Sequence, residues 1–201
     1  VKLTVSPSPV LDFTYFLQRD VYGDDPLTPE IVEPMQPAEF ALLINNRGYG
    51  DAKSLKIVTG APQISENEKG LVIDFSMVGS YLKGKEQSLP LDGDVPMDFG
   101  SIPAKKSTYA QWMLQSSLLG HFIEYDVKAT HVTSYGNEDL SLLNDVSIHE
   151  LIRSIKVPIN SDSTLAGFLV NDIVDIADMP DMLYVENGDV ESVAICEKSK
   201  D

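Results

Sequence analysis

The chain is poor in the residue types on which most stapling and catalytic chemistry depends. Its 201 residues include one cysteine, three histidines and one tryptophan. A single cysteine excludes an internal disulfide, so packing and hydrogen bonds must hold the fold. A chain of this length can bury an ordinary core without staples. Cys196 lies in the apolar run Val193-Ala194-Ile195-Cys196 and reads as a small buried hydrophobe rather than a reactive thiol. No stretch approaches the roughly 20 apolar residues that a membrane helix needs. Cations are scarce: 15 basic residues face 31 acidic ones, for a formal net charge of −16. Such a field repels phosphate backbones and anionic lipid, which argues against a nucleic-acid partner. The imbalance is steepest at the end, where residues 134–201 hold 4 basic and 14 acidic groups. The chain opens at Val1 with no signal peptide, which reads as a trimmed or mature fragment.

Catalytic constellations are equally sparse. His121 and His131 lie ten positions apart on one strand candidate. That places them roughly 33 Å apart along an extended chain, too far to share a site. His149-Glu150-Leu151-Ile152-Arg153 resembles the start of a zinc-protease HExxH motif, but Arg153 stands where the second imidazole is required. There is no Gly-x-Ser-x-Gly elbow and no phosphate-cradling glycine loop; Gly48-Tyr49-Gly50 is followed by Asp51, which opposes a phosphate. The expectation is a protein that is not an enzyme, with an unfamiliar pair of carboxylates as the remaining catalytic alternative.

What is present is β-pattern. Leu11–Leu17 has aromatics at alternate positions, Glu39–Asn45 is apolar, and Leu55–Val58 and Leu71–Met77 alternate. Thr108–Leu114 and His121–Val132 read as longer strands. Between them lie a connection from Asp20 to Pro37 with four prolines and a Gly- and Pro-rich stretch over 79–103, both read as loop. Ile148, Leu151, Ile152 and Ile155 follow helical spacing, and Ser147 with Glu150 has the form of a capping box, so 147–156 is expected to be a short helix. Loose alternation of Val146, Ile148, Glu150 and Ile152 is the strand alternative. Leu165–Val170, Leu183–Glu186 and Val190–Ile195 complete the β-runs, the last two joined by Asn187-Gly188-Asp189 as a tight hairpin. The pattern implies an all-β fold: an antiparallel β-sandwich over 1–133, a connecting segment with a short helix over 134–160, and a small β-rich segment over 161–201 that either packs on the sandwich or begins a second domain.

Two kinds of ligand have candidate residues. Calcium takes several oxygens from loop carboxylates and carbonyls. Asp92, Asp94 and Asp98 around Gly93 are the first candidates; Asp24 with Asp25, and Asp172, Asp175, Asp178 and Asp181, are others. Solvated loop carboxylates are the simpler reading of each group. Sugar faces stack on exposed aromatics, and Tyr22 and Tyr49 lie in loops, whereas Trp112 lies mid-strand and is expected in the core.

Two segments carry a resemblance. Pro37 to Ala52 reads as a strand ending in Asn46-Arg47-Gly48-Tyr49-Gly50-Asp51-Ala52, and Phe99-Gly100-Ser101-Ile102-Pro103-Ala104-Lys105-Lys106-Ser107-Thr108 reads as the lead into a late strand. Both are similar to the CARDB and NEW3-type immunoglobulin-like modules of bacterial extracellular proteins, over roughly residues 38–132. The chain departs from that pattern at Lys105, where the family usually has glycine, and in a long insertion around 79–98. The resemblance implies an immunoglobulin-like β-sandwich, an extracellular or cell-surface setting, and a structural, adhesion or spacer role beside neighbouring domains or another surface protein. It transfers no catalytic residue. A carbohydrate-binding accessory domain, with Tyr22 and Tyr49 as platform and a structural calcium, is the alternative.

Overall fold

Two runs hold too many apolar residues for strands with one wet face. Leu11-Asp12-Phe13-Thr14-Tyr15-Phe16-Leu17 and Phe40-Ala41-Leu42-Leu43-Ile44 place large side chains at successive positions, so both faces of each strand must be covered. A computed structural model describes residues 6–24, 28–59, 75–89, 95–117, 120–121, 142–173 and 179–194, and it meets that demand. The strands are β1 (Leu11–Leu17), β2 (Asp20–Val21), β3 (Ala38–Asn46), β4 (Ala52–Thr59), β5 (Phe75–Leu82), β6 (Lys85–Glu86), β7 (Val95–Ile102), β8 (Ser107–Ser116), β9 (Gly120–His121), β10 (Leu143–Asn160), β11 (Ser163–Asn171), β12 (Met182–Val185) and β13 (Val190–Ser192).

Nine of them form one mixed sheet in the order β13-β12-β11-β10-β1-β3-β8-β5-β6, and β2–β9 and β4–β7 are separate two-stranded pairs. Only β1 and β10 run parallel within the sheet; Leu11 pairs with Leu143 and Leu17 with Glu150. On one face of the central strands, Phe13, Tyr15, Phe40, Leu42, Ile44, Trp112 and Leu114 pack with Ala52 of β4 and with Met97, Phe99 and Ile102 of β7. On the opposite face, Phe16, Ala41, Leu43 and Tyr109 pack with Leu151, Phe168 and Val170, backed by Met182 and Tyr184. Phe16 and Phe168 stack at 4.5 Å between centroids, and Tyr109 meets Phe168 edge-on at 5.9 Å. Trp112 is fully buried, as its mid-strand position predicts.

The expected helix over 147–156 is instead the middle of β10. Its first half lies beside β1 and its second half beside β11, with a register shift between Leu151 and Arg153 that leaves Ile152 as an extra residue. A bulge bends and twists a strand. Here Val146 and Ile148 pack on the first cluster and Leu151 on the second. A strand that serves two cores about a bulge spaces its apolar residues three and four apart, which imitates a helical stripe. The chain from Leu143 onward therefore continues the sheet of the earlier strands through β10. Among the described residues there is no helix, and none long and apolar enough to cross a membrane.

The 79–103 stretch, expected as loop, contains β6 and β7, while β5 starts at Phe75. Gly100, at φ 64°, lies opposite Leu55 and next to a bulge that holds Ser54 at φ 54°, where the β4–β7 register shifts. The Asn187-Gly188 hairpin forms between β12 and β13, but only Gly188 has positive φ, at 92°. Gly188 N–H donates to the Val185 carbonyl at 2.8 Å and Val185 N–H to the Asp189 carbonyl at 2.9 Å, a three-residue connection rather than a two-residue one. Of the strand candidate that begins at His121, residues 122–132 fall outside the described residues, as does Cys196; His121 itself belongs to β9.

Candidate functional site

The two motif segments meet around one side chain. Asn46 is fully buried. Its Nδ2 donates to the carbonyls of Gly50 at 2.9 Å, Ile102 at 3.1 Å and Pro103 at 3.2 Å, and its Oδ1 accepts from Gly48 N–H at 3.0 Å and Val10 N–H at 3.2 Å. A Cβ on Gly48 would sit 2.5 Å from the Ser8 carbonyl oxygen, and one on Gly50 would sit 2.1 Å from that of Pro7, so the segment at 7–10 leaves room for neither. Lys105 holds φ 60°, a left-handed conformation that explains why glycine suits this position. Its ammonium lies 4.0 Å from the centroid of the Tyr49 ring and bonds the Arg47 carbonyl. This constellation is architecture: it pins the β3–β4 turn to the β7–β8 turn.

Tyr49 is 78% exposed and Tyr22 43% exposed, but they do not form a platform. Tyr49 follows the Asn46 end of β3, and Tyr22 bridges to Gln36 just before the Ala38 end. A nine-residue strand separates them by roughly 25 Å. Asp98 is the described member of the calcium candidates in the 92–98 loop; Asp92 and Asp94 lie outside the described residues. Asp98 Oδ1 accepts from Gly100 N–H at 2.9 Å and Oδ2 lies 3.4 Å from the Lys56 ammonium. The Gly100 hydrogen bond, and then Lys56, hold its carboxyl below the usual range. A cation at Asp98 would have to displace Lys56. Among the described residues no group of three or more His, Cys, Asp or Glu side chains is placed to hold a metal ion.

His149 gains a partner that sequence spacing does not suggest. Its Nδ1 lies 2.6 Å from Asp172 Oδ1, and its ring packs between Phe16 at 6.0 Å and Tyr184 at 4.6 Å. The Tyr184 hydroxyl donates to Asp172 Oδ2 at 3.4 Å. Burial, then the neighbouring Asp172, push the Tyr184 phenol up to about 12. Asp181 in turn accepts from the N–H groups of Asp172 and Ile173. The carboxylates at 172 and 181 are thus occupied in closing the β11–β12 connection onto β10; Asp175 and Asp178 lie outside the described residues. Arg153, at the incomplete HExxH position, pairs with Leu169 on the opposite side of the bulge.

A further site is not legible in the sequence at all. A cavity of about 470 Å³ opens between the β5–β6 turn and strands β8, β10 and β11. Its lining includes Lys83, Gly84, Gln111, Ser154, Lys156 and Glu186. Beneath it, Glu39 Oε1 accepts from Gln111 Nε2 and from Ser154 Oγ, both at 2.6 Å. Tyr109 also lines the cavity; burial and then Glu186 raise its phenol above the ordinary value. The size is within the range of small-molecule sites. These residues come from five separate segments, so no sequence window contains them. Tyr81-Leu82-Lys83-Gly84-Lys85-Glu86 marks only a turn at Lys83-Gly84 and says nothing of a cavity beside it.

No family model, no curated protein and no solved structure matches the chain.

Proposed function

We propose that the chain is a non-catalytic interaction module, an immunoglobulin-like β-sandwich with a further β layer folded onto it, carried by a larger secreted or cell-surface protein. The observation that carries this reading is the distribution of exposed apolar side chains. Ile31 is 62% exposed, Val32 87% and Met35 53%, and all three lie in the proline-rich connection that precedes β3. Tyr22 bridges to Gln36 beside them. Apolar side chains gathered on one connection mark a docking surface more often than an accident of composition. The partner that fits is a neighbouring domain or another surface protein with an apolar groove.

The test is a photo-crosslinking residue at position 32 of the full-length protein, used on intact cells. A discrete protein adduct, lost when Ile31→Ser and Met35→Ser are added, is the expected result. Equal crosslinking from a control position at Glu86 would overturn it. The carbohydrate alternative moves away from Tyr22 and Tyr49, which stand at opposite ends of β3, and toward the cavity.

A further inference from the structure

We infer that the cavity between the β5–β6 turn and β10–β11 binds an acidic saccharide: a hydroxyl-bearing ring that carries a carboxylate. The argument starts at Glu39. An ionised carboxylate only accepts hydrogen bonds, so the group that Gln111 presents to it must be its amide NH₂. That leaves Gln111 Oε1 as the amide's free end in the cavity that the side chain lines. Ser154 donates its single hydroxyl proton to the same Glu39 oxygen, so toward the cavity it can only accept. Glu39 therefore sets the polarity of this part of the lining: Gln111 and Ser154 offer oxygens that call for donors. Glu186, also in the lining, has Oε2 held by Ala166 N–H at 3.1 Å and adds a further acceptor. Adjacent hydroxyl groups on a sugar ring supply such donors.

Two lysines in the same lining have the opposite character. Lys83 and Lys156 line the cavity from different strands, and among the described residues neither makes an ion pair. Lys83 is also held at a cost. With Leu82 paired to Lys85, Lys83 and Gly84 are the two central residues of the turn, at φ 50° and 72°. Both positions of such a turn favour Gly, Asn or Asp. A lysine kept in a left-handed turn where a smaller residue would be relaxed is the kind of outlier that accompanies function. Two unpaired ammonium groups lining the same cavity as these acceptors fit a ligand that donates from hydroxyls and carries negative charge at another edge. A neutral sugar engages the acceptors alone, and an anion without a sugar ring, such as citrate, engages the lysines alone.

The test is calorimetric titration with glucuronate, with glucose and citrate as controls, on the wild-type chain, Lys83→Asn, Lys156→Gln and Ser154→Ala. Expected is binding of glucuronate that weakens about tenfold or more in each lysine variant, as loss of a charge-assisted contact implies, and weakens in Ser154→Ala. Glucose and citrate should each bind more weakly than glucuronate. Lys83→Asn keeps the turn and relieves its strain, so its melting temperature should rise by roughly 2–4 °C while binding falls. No glucuronate binding at millimolar concentration would overturn the inference. So would binding unaffected by both lysine variants, or citrate binding as tightly as glucuronate, which would make the cavity a plain anion site.

Discussion

The Asn46 carboxamide donates to the Ile102 carbonyl at 3.1 Å, joining two turns 56 positions apart in the chain. The same side chain satisfies four other backbone groups, and it is fully buried. Removing it leaves carbonyls and N–H groups buried without partners. Asn46→Ala is expected to cost about 3 kcal/mol or more in denaturant unfolding, since each orphaned buried group costs roughly 1–3 kcal/mol. Asn46→Asp tests the cause. It has the same shape but turns an oxygen toward the carbonyls of Gly50 and Ile102, and should be at least as damaging at neutral pH.

Phe168 ties the late strands to the early ones. It is fully buried and stacks on Phe16. Phe168→Ala is expected to lose roughly 3–5 kcal/mol, the usual range for a buried aromatic. The loss should also be uneven. Amide exchange at Val170 and Val185 should quicken far more than at Leu42 or Ala110, because the β11–β13 layer rests on this ring while the first cluster does not. Uniform quickening would mean that the two clusters unfold as one unit.

Alkaline pH should unfold the protein through its phenols. Tyr15 is 4% exposed, and burial pushes it from 10.0 up to about 12. Tyr184 is likewise pushed up to about 12, and Tyr109 is raised. The unfolded chain sheds these protons near pH 10, while the folded chain keeps them until about 12. The stabilisation is therefore complete below pH 10 and declines from there to about 12. Tyr15 alone accounts for a loss on the order of 2 kcal/mol across that interval. Tyr15→Phe should flatten the melting temperature between pH 9 and 11.5, and an unchanged slope would refute the assignment.

The strands with strong β-patterns are legible because their constraint is local. Leu11–Leu17 and Glu39–Asn45 read as strands from their residues alone, and they are the central pair of the sheet. Their unbroken apolar character also carries the message that both faces are covered, visible once Phe16 and Leu43 are seen facing Leu151 and Phe168. β10 misleads because its period belongs to two cores joined by a bulge at Ile152, which no single window can separate. β7 is hidden because Pro96 and Gly100 mark a loop in isolation but sit at an edge pair and a bulge in the fold. Lys105 departs from the resembled pattern at the position where the backbone is left-handed, so that departure marks a conformational requirement. The cavity is illegible throughout. Glu39, Gln111 and Ser154 come together only after three strands have found their register.

The parallel pairing of β1 with β10 has a consequence for how the chain is made. β1 can take β3 as a neighbour early, but its other edge waits for Leu143 to Glu150. At synthesis rates of about 5–20 residues per second, that wait is on the order of ten seconds. Throughout it, a strand carrying Phe13, Tyr15 and Phe16 presents an open row of amides and carbonyls to every other nascent chain nearby. The hazard in this protein's life falls during its birth on the ribosome, and a holding chaperone is most useful in that interval.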